Sequence, residues 1–305
     1  MNLDFVIIEE NLGIEDLIED LYGRLNNGVA LNVTEKRHAI PGVMSKYVSE
    51  VAESKFFTEY LRIDNKRYKH EEIAIKIIKM AIMAEHGAKP ICDFRPSSLD
   101  RIVRDGRNYT DIQLDPIRKK VDTLLGYGTR YFKKQDPLLD TYSLVPGYFA
   151  FVYGIQQHYG HDQLNKMLSE FFDWFENERI DNNQEADEDK QDADLSTYTE
   201  MAGQGTTSLN SMETRVEILT KFFLRKNSDV QIKDKIREFN SQERYAIWSR
   251  AGRRCQNASC ARDLSSMDLM SADHVLAWKN GGATALVNAQ ALCVPCNSAK
   301  GARPV

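Results

Sequence analysis

The stretch SADHVLAWKNGGATALVNAQALCVPCNSAKG, residues 271–301, holds an Asp-His pair, a Gly-Gly turn, an Asn, and a Cys-x-x-Cys followed by a further Asn. LMSADHV has the pattern of a short strand, and KNGGAT has the composition of a turn. CVPCNSAKG has the pattern of a helix start, because Pro295 suits the first helical turn. The stretch therefore predicts a ββα unit whose helix brings Asn297 to face Asp273 and His274.

A second cysteine pair lies upstream, and the four cysteines together predict a metal site. Cys255 and Cys260 enclose four residues, and Cys293 and Cys296 enclose two. Four thiolates at such spacings can surround one Zn²⁺ tetrahedrally, about 2.3 Å from each sulfur, and leave no coordination position open. We therefore expect a structural zinc rather than disulfides. Cys92 stands alone and is expected to be a buried apolar residue.

Composition and charge bound the class of protein. The chain has 305 residues, of which 42% are apolar and 28% charged, as in a globular protein of about two domains. No apolar run approaches the roughly 18 residues of a membrane span, and the N-terminus lacks a basic signal region. We expect a cytoplasmic protein with no membrane partner. The net charge is −5, yet from Lys233 onward 11 Lys and Arg face 6 Asp and Glu, which suggests a polyanionic partner for the C-terminal part.

Apolar residues recur every three or four positions through most of the chain, which predicts amphipathic helices. The predicted helices cover residues 13–28, 43–61, 70–87, about 113–133, about 161–180, 211–226 and 241–252. Ser211 and Ser241 are expected to cap the last two helices. Ile247 and Trp248 are expected to pack the final helix against the cysteine-bearing module.

The whole C-terminal pattern, C-x4-C…DH-x13-N…C-x2-CN-x2-KG over about residues 240–305, resembles the HNH endonuclease family with a zinc-ribbon staple. The resemblance implies that His274 is a general base and that Asn288 fixes the shape of its loop. It implies that Asp273 and Asn297 bind the catalytic metal.

These residue types suit phosphodiester hydrolysis. A neutral His can take a proton from water near pH 7. The oxygens of Asp273 and Asn297 suit Mg²⁺, for which Mn²⁺ or Ni²⁺ are expected substitutes, and such an ion supplies positive charge at the transition state. The basic residues expected to hold a nucleic-acid backbone without reading its sequence are Arg250, Arg253, Arg254, Arg262 and Lys279. The family resemblance adds Lys300 as a phosphate contact.

A second resemblance lies near the N-terminus. LYGRLNNGVALNVTEKRHAIPG, residues 21–42, resembles a stretch of the GmrSD-like restriction family, also described as domain of unknown function 262. The match rests on Arg24, Asn26, Gly28, Leu31, Glu35 and Arg37. A purely structural Glu35–Arg37 turn is the alternative. The family's Asp-Gly-Gln-Gln-Arg type of motif is absent, so we expect no nucleotide hydrolysis and interpret the region as a fragment of a larger domain or a degenerate member.

The expected fold is mainly α, with a helical domain followed by a small zinc-stapled ββα-metal (HNH) domain. The helical domain, residues 1–180, is interpreted as GmrSD-like and regulatory or DNA-sensing. Residues 181–210 are expected to form an acidic polar linker or loop, because the surrounding segment has few large apolar residues; the alternative is an acidic mimic of DNA. Residues 211–305 are expected to hold a helical lead-in and the HNH domain.

Three functions are compatible with the sequence. The first is a metal-dependent HNH DNA endonuclease in DNA restriction or phage defence, with protein partners or a homo-oligomer formed through the helical domain. The second is a non-catalytic zinc-ribbon module that binds nucleic acid or protein on a helical scaffold. The third is a helical scaffold whose nuclease has decayed. The Asp273, His274, Asn288, Asn297 set favours the first, because a pure binding module needs no base beside a metal ligand.

Overall fold

The computed structural model describes residues 31–234 and 236–303. The helix predicted over 13–28 and the family-like positions Arg24, Asn26 and Gly28 lie outside them. The described chain is mainly helical with two pairs of short strands, which confirms the predicted fold class. Within that described part, every helix is too short or too polar to cross a membrane.

Two compact units make up the described chain. The first ends at Pro146 and includes Gly205–Met212, and the second comprises Gly147–Gln204 and the residues from Glu213 onward. The second unit therefore combines several helices with the cysteine-bearing ββα part. These limits differ from the domain boundaries expected at residues 180 and 210.

The first unit is built around one long buried helix. Its helices are α1 Val33–His38, α2 Val43–Ala52, α3 Lys69–Glu85, α4 Pro96–Asp105 and α5 Asp111–Tyr131. Helix α3 packs against α2 and α5 and buries most of its length, including Ile73, Ile77 and Met80, each fully buried. The helix predicted over 43–61 is divided, because α2 ends at Ala52 and a wider helical turn follows at Phe56–Tyr60.

Polar contacts fix the start of this unit. Asn32 caps α1 and forms a reciprocal capping box with Glu35. Glu35 also pairs with Arg67 at 2.7 Å. The buried Arg37 pairs with Glu72 and with a carboxylate of α4, each at 2.8 Å. Glu35 and Arg37 therefore bind other residues rather than one another, unlike the pair proposed from the sequence.

The helices of the second unit share an aromatic core. They are α6 Val145–His158, α7 Leu164–Gln184, α8 Ala193–Gly203 and α9 Leu209–Lys226. Of these, α6 belongs to the second unit from Gly147 and α9 from Glu213. Phe151, Phe171 and Phe223 come from three different helices, and their ring centroids lie 5.1–5.7 Å apart. Contacts of this kind add to the apolar area that aromatic side chains bury.

The segment expected to be a linker or loop, residues 181–210, contains helix. Helix α7 continues into it, and α8 occupies its middle. Asp192 caps α8, and the side chain of Asn182 accepts a hydrogen bond from the Asp192 amide at 2.6 Å. Leu195 and Tyr198 are buried. The expectation of a linker or loop was therefore wrong for most of the segment, because two apolar residues suffice where neighbouring helices already provide a core.

The C-terminal elements form the predicted ββα unit. They are α10 Ser241–Arg250, β3 Met270–His274, β4 Ala289–Cys293 and α11 Val294–Lys300. Strands β3 and β4 are antiparallel, with Asp273 directly opposite Gln290. Pro295 lies in the first turn of α11, as predicted.

Two predicted helix caps were wrong. Asn240, not Ser241, caps α10, and it forms a capping box with Glu243. Ser211 lies inside α9, where its amide donates to the hydroxyl of Ser208. In α10 the Asn-x-x-Glu box satisfies two backbone donors at once, which explains why the helix begins one residue earlier than a Ser241 cap would require.

Helix α10 closes the core of the ββα unit. Ile247 is fully buried and Trp248 is nearly so, and both pack in one cluster with Leu264, Met270 and the cysteines of the metal site. The Trp248 indole donates a hydrogen bond to the carbonyl of Leu264 at 2.7 Å. The prediction that Ile247 and Trp248 pack against the cysteine-bearing module is confirmed.

A short two-stranded sheet ties the ββα unit to α6. Strands β1 Tyr159–Gly160 and β2 Gln231–Ile232 pair antiparallel. A Cβ on Gly160 would lie 2.2 Å from the amide nitrogen of Gly281, so only glycine fits at this position. The amide of Lys233 donates to the His158 carbonyl at 2.8 Å. The segment that leads into the ββα unit is therefore held next to the end of α6 at residues 231–233.

Candidate functional site

The four paired cysteines gather at one point. Their sulfur atoms all lie within 4.8 Å of one another, and those of Cys260 and Cys293 are 3.9 Å apart. A tetrahedral zinc about 2.3 Å from each sulfur requires sulfur–sulfur distances of about 3.8 Å. Among the described residues, this is the group of His, Cys and acidic side chains positioned to hold a metal. The donor set fits Zn²⁺.

Hydrogen bonds support the sulfur cluster from outside. The amide of Cys293 donates to the sulfur of Cys255 at 3.3 Å. The Asn257 side chain donates to the sulfur of Cys296, also at 3.3 Å. Such contacts orient metal ligands. Asn257 was not predicted from the sequence.

Asp273, at the end of β3, is held by one of its two carboxylate oxygens. Oδ2 accepts hydrogen bonds from Gln290 at 2.9 Å and from the Lys300 ammonium at 2.8 Å. The Lys300 ammonium also donates to the carbonyl of His274 at 2.7 Å, and this side chain is 9% exposed. No described residue hydrogen-bonds to Oδ1 of Asp273. Lys300 is thus engaged with Asp273, rather than open to a phosphate as expected.

His274 is buried and held through one ring nitrogen. Its Nε2 lies 2.9 Å from the hydroxyl of Thr284, and that hydroxyl donates its hydrogen to the carbonyl of Ile236. A hydroxyl has one hydrogen to donate, so Thr284 accepts the hydrogen bond from Nε2–H. The ring of Phe239 packs on the imidazole, with centroids 4.7 Å apart. Nδ1 keeps its lone pair and has no partner among the described residues.

The surroundings of His274 keep the imidazole neutral. Burial is the largest influence and lowers its pKa, and the charges of Arg237 and Lys300 lower it further. The carboxylate of Asp273 acts in the opposite direction without cancelling the effect of burial. The imidazole is therefore in the form that accepts a proton near pH 7.

The two predicted asparagines make different contacts. Asn297, on α11, donates from Nδ2 to the hydroxyl of Ser271 at 2.7 Å, and its Oδ1 has no hydrogen-bond partner in the described part of the chain. Asn288 accepts from the amide of Leu276 at 2.8 Å and donates to the carbonyls of Leu276 and Ala283 at 3.0 and 2.8 Å. The Asn288 side chain thus links the end of the β3–β4 loop to the backbone at its start and middle.

The remaining basic candidates lie on the surface of the same unit. Arg250 donates to the carbonyl of Ala289 at 2.7 Å. The guanidinium of Arg253 lies 4.7 Å from the ring centroid of Trp248. For three others no described residue pairs with the charged group; these are Arg254, Arg262 and Lys279. The charges of these three residues are therefore available to an outside ligand.

Sequence reasoning missed the residues that hold the site in place. Gln290 lies opposite Asp273 on the neighbouring strand, and Ser271 lies two residues before Asp273 on the same strand. Thr284 is near the Gly-Gly turn. A correct register for the second strand would have pointed to Gln290, but no local pattern marks Ser271 or Thr284.

Residues 255–303 match the family model described as HNH endonuclease. Neither the curated proteins nor the solved structures contain a match to the chain. The family match does not extend to residues 21–42, where the second resemblance has no further support. The mainly helical chain therefore carries a C-terminal HNH domain with four cysteines positioned to bind a metal ion.

Proposed function

We propose that the protein is a metal-dependent HNH endonuclease that hydrolyses phosphodiester bonds in DNA. The supporting observation is common to three side chains of the site. Each is held through one polar atom while a second has no partner among the described residues. The unpartnered atoms are Nδ1 of His274, Oδ1 of Asp273 and Oδ1 of Asn297. Fixing a side chain while leaving a functional atom available is what a preorganised active site requires.

In this proposal His274 is the general base. Nδ1 removes a proton from a water molecule as the water oxygen forms a bond to phosphorus, and the bond from phosphorus to the leaving oxygen breaks. The leaving oxygen takes its proton from solvent. A general base of this kind contributes roughly 10²–10⁴-fold to the rate. Thr284 holds the ring in the required tautomer.

Asp273 and Asn297 would hold Mg²⁺ through their free oxygens, which are the hard ligands that this ion prefers. The ion supplies positive charge to the phosphate in the transition state. Gln290 and Lys300 fix the other carboxylate oxygen of Asp273, and Ser271 fixes the amide nitrogen of Asn297. The neutral amide preserves more of the positive charge for the phosphate than a second carboxylate would.

Zinc has a structural role in this proposal. The cysteines come from the segment after α10, from the end of β4 and from the first turn of α11. One ion at the four sulfurs would join these elements. Its contribution matters because the ββα core is small.

We further propose that the nuclease acts in DNA restriction or phage defence in the cytoplasm, with the helical part sensing or restraining it. The support is the resemblance of residues 21–42 to the GmrSD-like family. The helical part would bind protein partners or form a homo-oligomer.

A non-catalytic zinc-ribbon module is the second candidate. The specific observation in its favour is the ion pair between Lys300 and Asp273, because the ammonium already compensates the carboxylate. Cleavage of supercoiled plasmid by the purified protein separates the two. The nuclease cuts with Mg²⁺ and stops with EDTA, whereas the binding module leaves the plasmid intact in both.

A further inference from the structure

Two cations of the second unit lie beside one indole ring, and a third is the next residue after that ring in the chain. The ammonium of Lys233 lies 5.0 Å from the ring centroid of Trp278, and the guanidinium of Arg237 lies 5.8 Å from it. Lys279 is the next residue along the chain. The indole is itself fixed, since its nitrogen donates to the carbonyl of Asp234 at 2.8 Å. These three cations and Trp278 are called the Trp278 cluster below.

No described acidic side chain forms an ion pair with Arg237 or Lys279. The nearby Asp234 carboxylate accepts hydrogen bonds from the amides of Ile236 and Thr284, at 3.1 and 3.0 Å. Like charges held close together destabilise each other, and a bound anion relieves that repulsion.

The pKa of Lys233 is lowered by its surroundings. Its ammonium donates to the carbonyl of Gln156 at 2.5 Å. Burial lowers its pKa, and the charges of Arg237 and Lys279 lower it further. The three cations are therefore close enough to repel one another, while Arg237 and Lys279 remain available to an outside ligand.

The Trp278 cluster borders the proposed base. Arg237 directly follows Ile236, whose carbonyl accepts the Thr284 hydrogen bond. It lies two residues before Phe239, whose ring packs on His274. Lys279 lies in the turn between His274 and Thr284. A phosphate chain held by this cluster would pass next to His274.

We propose that Arg237, positioned by Trp278, and the neighbouring Lys279 bind the phosphodiester backbone of duplex DNA beside His274. This inference rests on the proposed nuclease function, for which it names the surface that holds the substrate. Cations bind phosphates without reading the base sequence. Arg237 and Trp278 were not among the nucleic-acid contacts expected from the sequence.

Binding of a short fluorescein-labelled DNA duplex, measured by anisotropy in EDTA over a series of salt concentrations, tests the proposal without cleavage. Removing two phosphate contacts with Arg237→Ala and Lys279→Ala together should lower the slope of log affinity against log salt by about 2. Lys279→Ala alone, in an exposed turn, should lower it by about 1. The charge-preserving pair Arg237→Lys and Lys279→Arg should retain most of the wild-type slope.

The matched control removes two exposed cations elsewhere in the same unit. Lys166 and Lys190 each pair with a carboxylate on the helical part. Their double alanine variant loses the same net charge and should keep the wild-type slope. A wild-type slope for both Lys279→Ala and the Arg237/Lys279 double variant would overturn the proposal.

The experiment also separates the two proposals. If wild type binds the duplex through the cluster but never cuts plasmid, the nuclease fails and the binding surface stands. If wild type cuts plasmid and both cluster variants bind like wild type, the binding surface fails and the nuclease stands. Zinc content and melting temperature show whether each variant is folded.

Discussion

The Thr284 hydroxyl lies 2.9 Å from Nε2 of His274 and donates its own hydrogen to the carbonyl of Ile236. This chain of two hydrogen bonds sets the tautomer of a buried imidazole. The proton is on Nε2 and the lone pair is on Nδ1. The segment before α10 therefore takes part in preparing the base, although it precedes the matched family region.

Replacing Thr284 tests this arrangement. Thr284→Val keeps the shape but removes the hydroxyl, so His274 loses the acceptor that fixes its tautomer. Plasmid cleavage should fall about 10- to 100-fold, at or below the lower end of the roughly 10²–10⁴-fold that a general base contributes, because part of the population then carries the wrong tautomer. Thr284→Ser keeps the hydroxyl and should retain most of the activity. The nitrogen NMR shifts of the His274 ring should report mixed tautomers in Thr284→Val only. Normal cleavage and an unchanged tautomer in that variant would rule out an orienting role.

Zinc removal should unfold the C-terminal ββα unit selectively. Elemental analysis of dialysed protein should give one zinc per chain. Cys255→Ser should lose the metal and the melting transition of this unit, since structural zinc contributes directly to folding. Cys92→Ala is the matched control, because Cys92 lies in the first unit and should leave zinc content unchanged. A soluble wild type with a native melting curve and no zinc would contradict the structural role.

Asn288 should act as a brace of its loop. Asn288→Ala removes three hydrogen bonds to the backbone of Leu276 and Ala283. At about 0.5–1.5 kcal/mol each, their loss should lower the free energy of unfolding by about 1–3 kcal/mol, after allowance for solvent access. Activity should fall as well.

Asn280→Ala is the comparison for that measurement. Asn280 lies in the same loop, and its side chain donates one hydrogen bond, to the carbonyl of Ala302 at 3.2 Å. Denaturant unfolding should show a smaller loss of stability than in Asn288→Ala. Equal losses in the two variants would mean that Asn288 is not the main brace.

Asn297 should act through the metal ion. Asn297→Ala removes one of the two proposed oxygen ligands, so cleavage should require more Mg²⁺ and recover in part as Mg²⁺ is raised. Ser271→Ala keeps the ligand and removes only the hydroxyl that holds the amide, so its Mg²⁺ requirement should shift less. A loss of cleavage in Asn297→Ala that Mg²⁺ does not recover at all would exclude a ligand role.

The sequence predicted those features that depend on short spacings. The cysteine cluster, the ββα order and the position of Pro295 follow from residues close together in the chain. Three errors also concerned local structure. Caps were placed at Ser211 and Ser241, although the Asn-x-x-Glu pattern that begins at Asn240 is typical of a capping box. The segment around α8 was judged by polarity alone.

The partners of the site were beyond sequence reasoning for a different reason. Gln290 reaches Asp273 only through the β3–β4 register, and Lys300 reaches it only because α11 packs back on β3. Thr284 meets His274 through a loop whose path depends on Asn288. Each contact depends on tertiary arrangement, which a single sequence does not specify locally.

Plasmid cleavage by His274→Ala, beside wild type and the exposed-surface variant Lys166→Ala, tests the central claim most directly. Wild type and Lys166→Ala should cut supercoiled plasmid with Mg²⁺ and stop with EDTA. His274→Ala should lose cleavage by roughly 10²–10⁴-fold, with zinc content, melting temperature and DNA affinity close to wild type. If folded, zinc-loaded His274→Ala cuts at the wild-type rate, His274 is not the base and the nuclease account of this HNH domain is wrong.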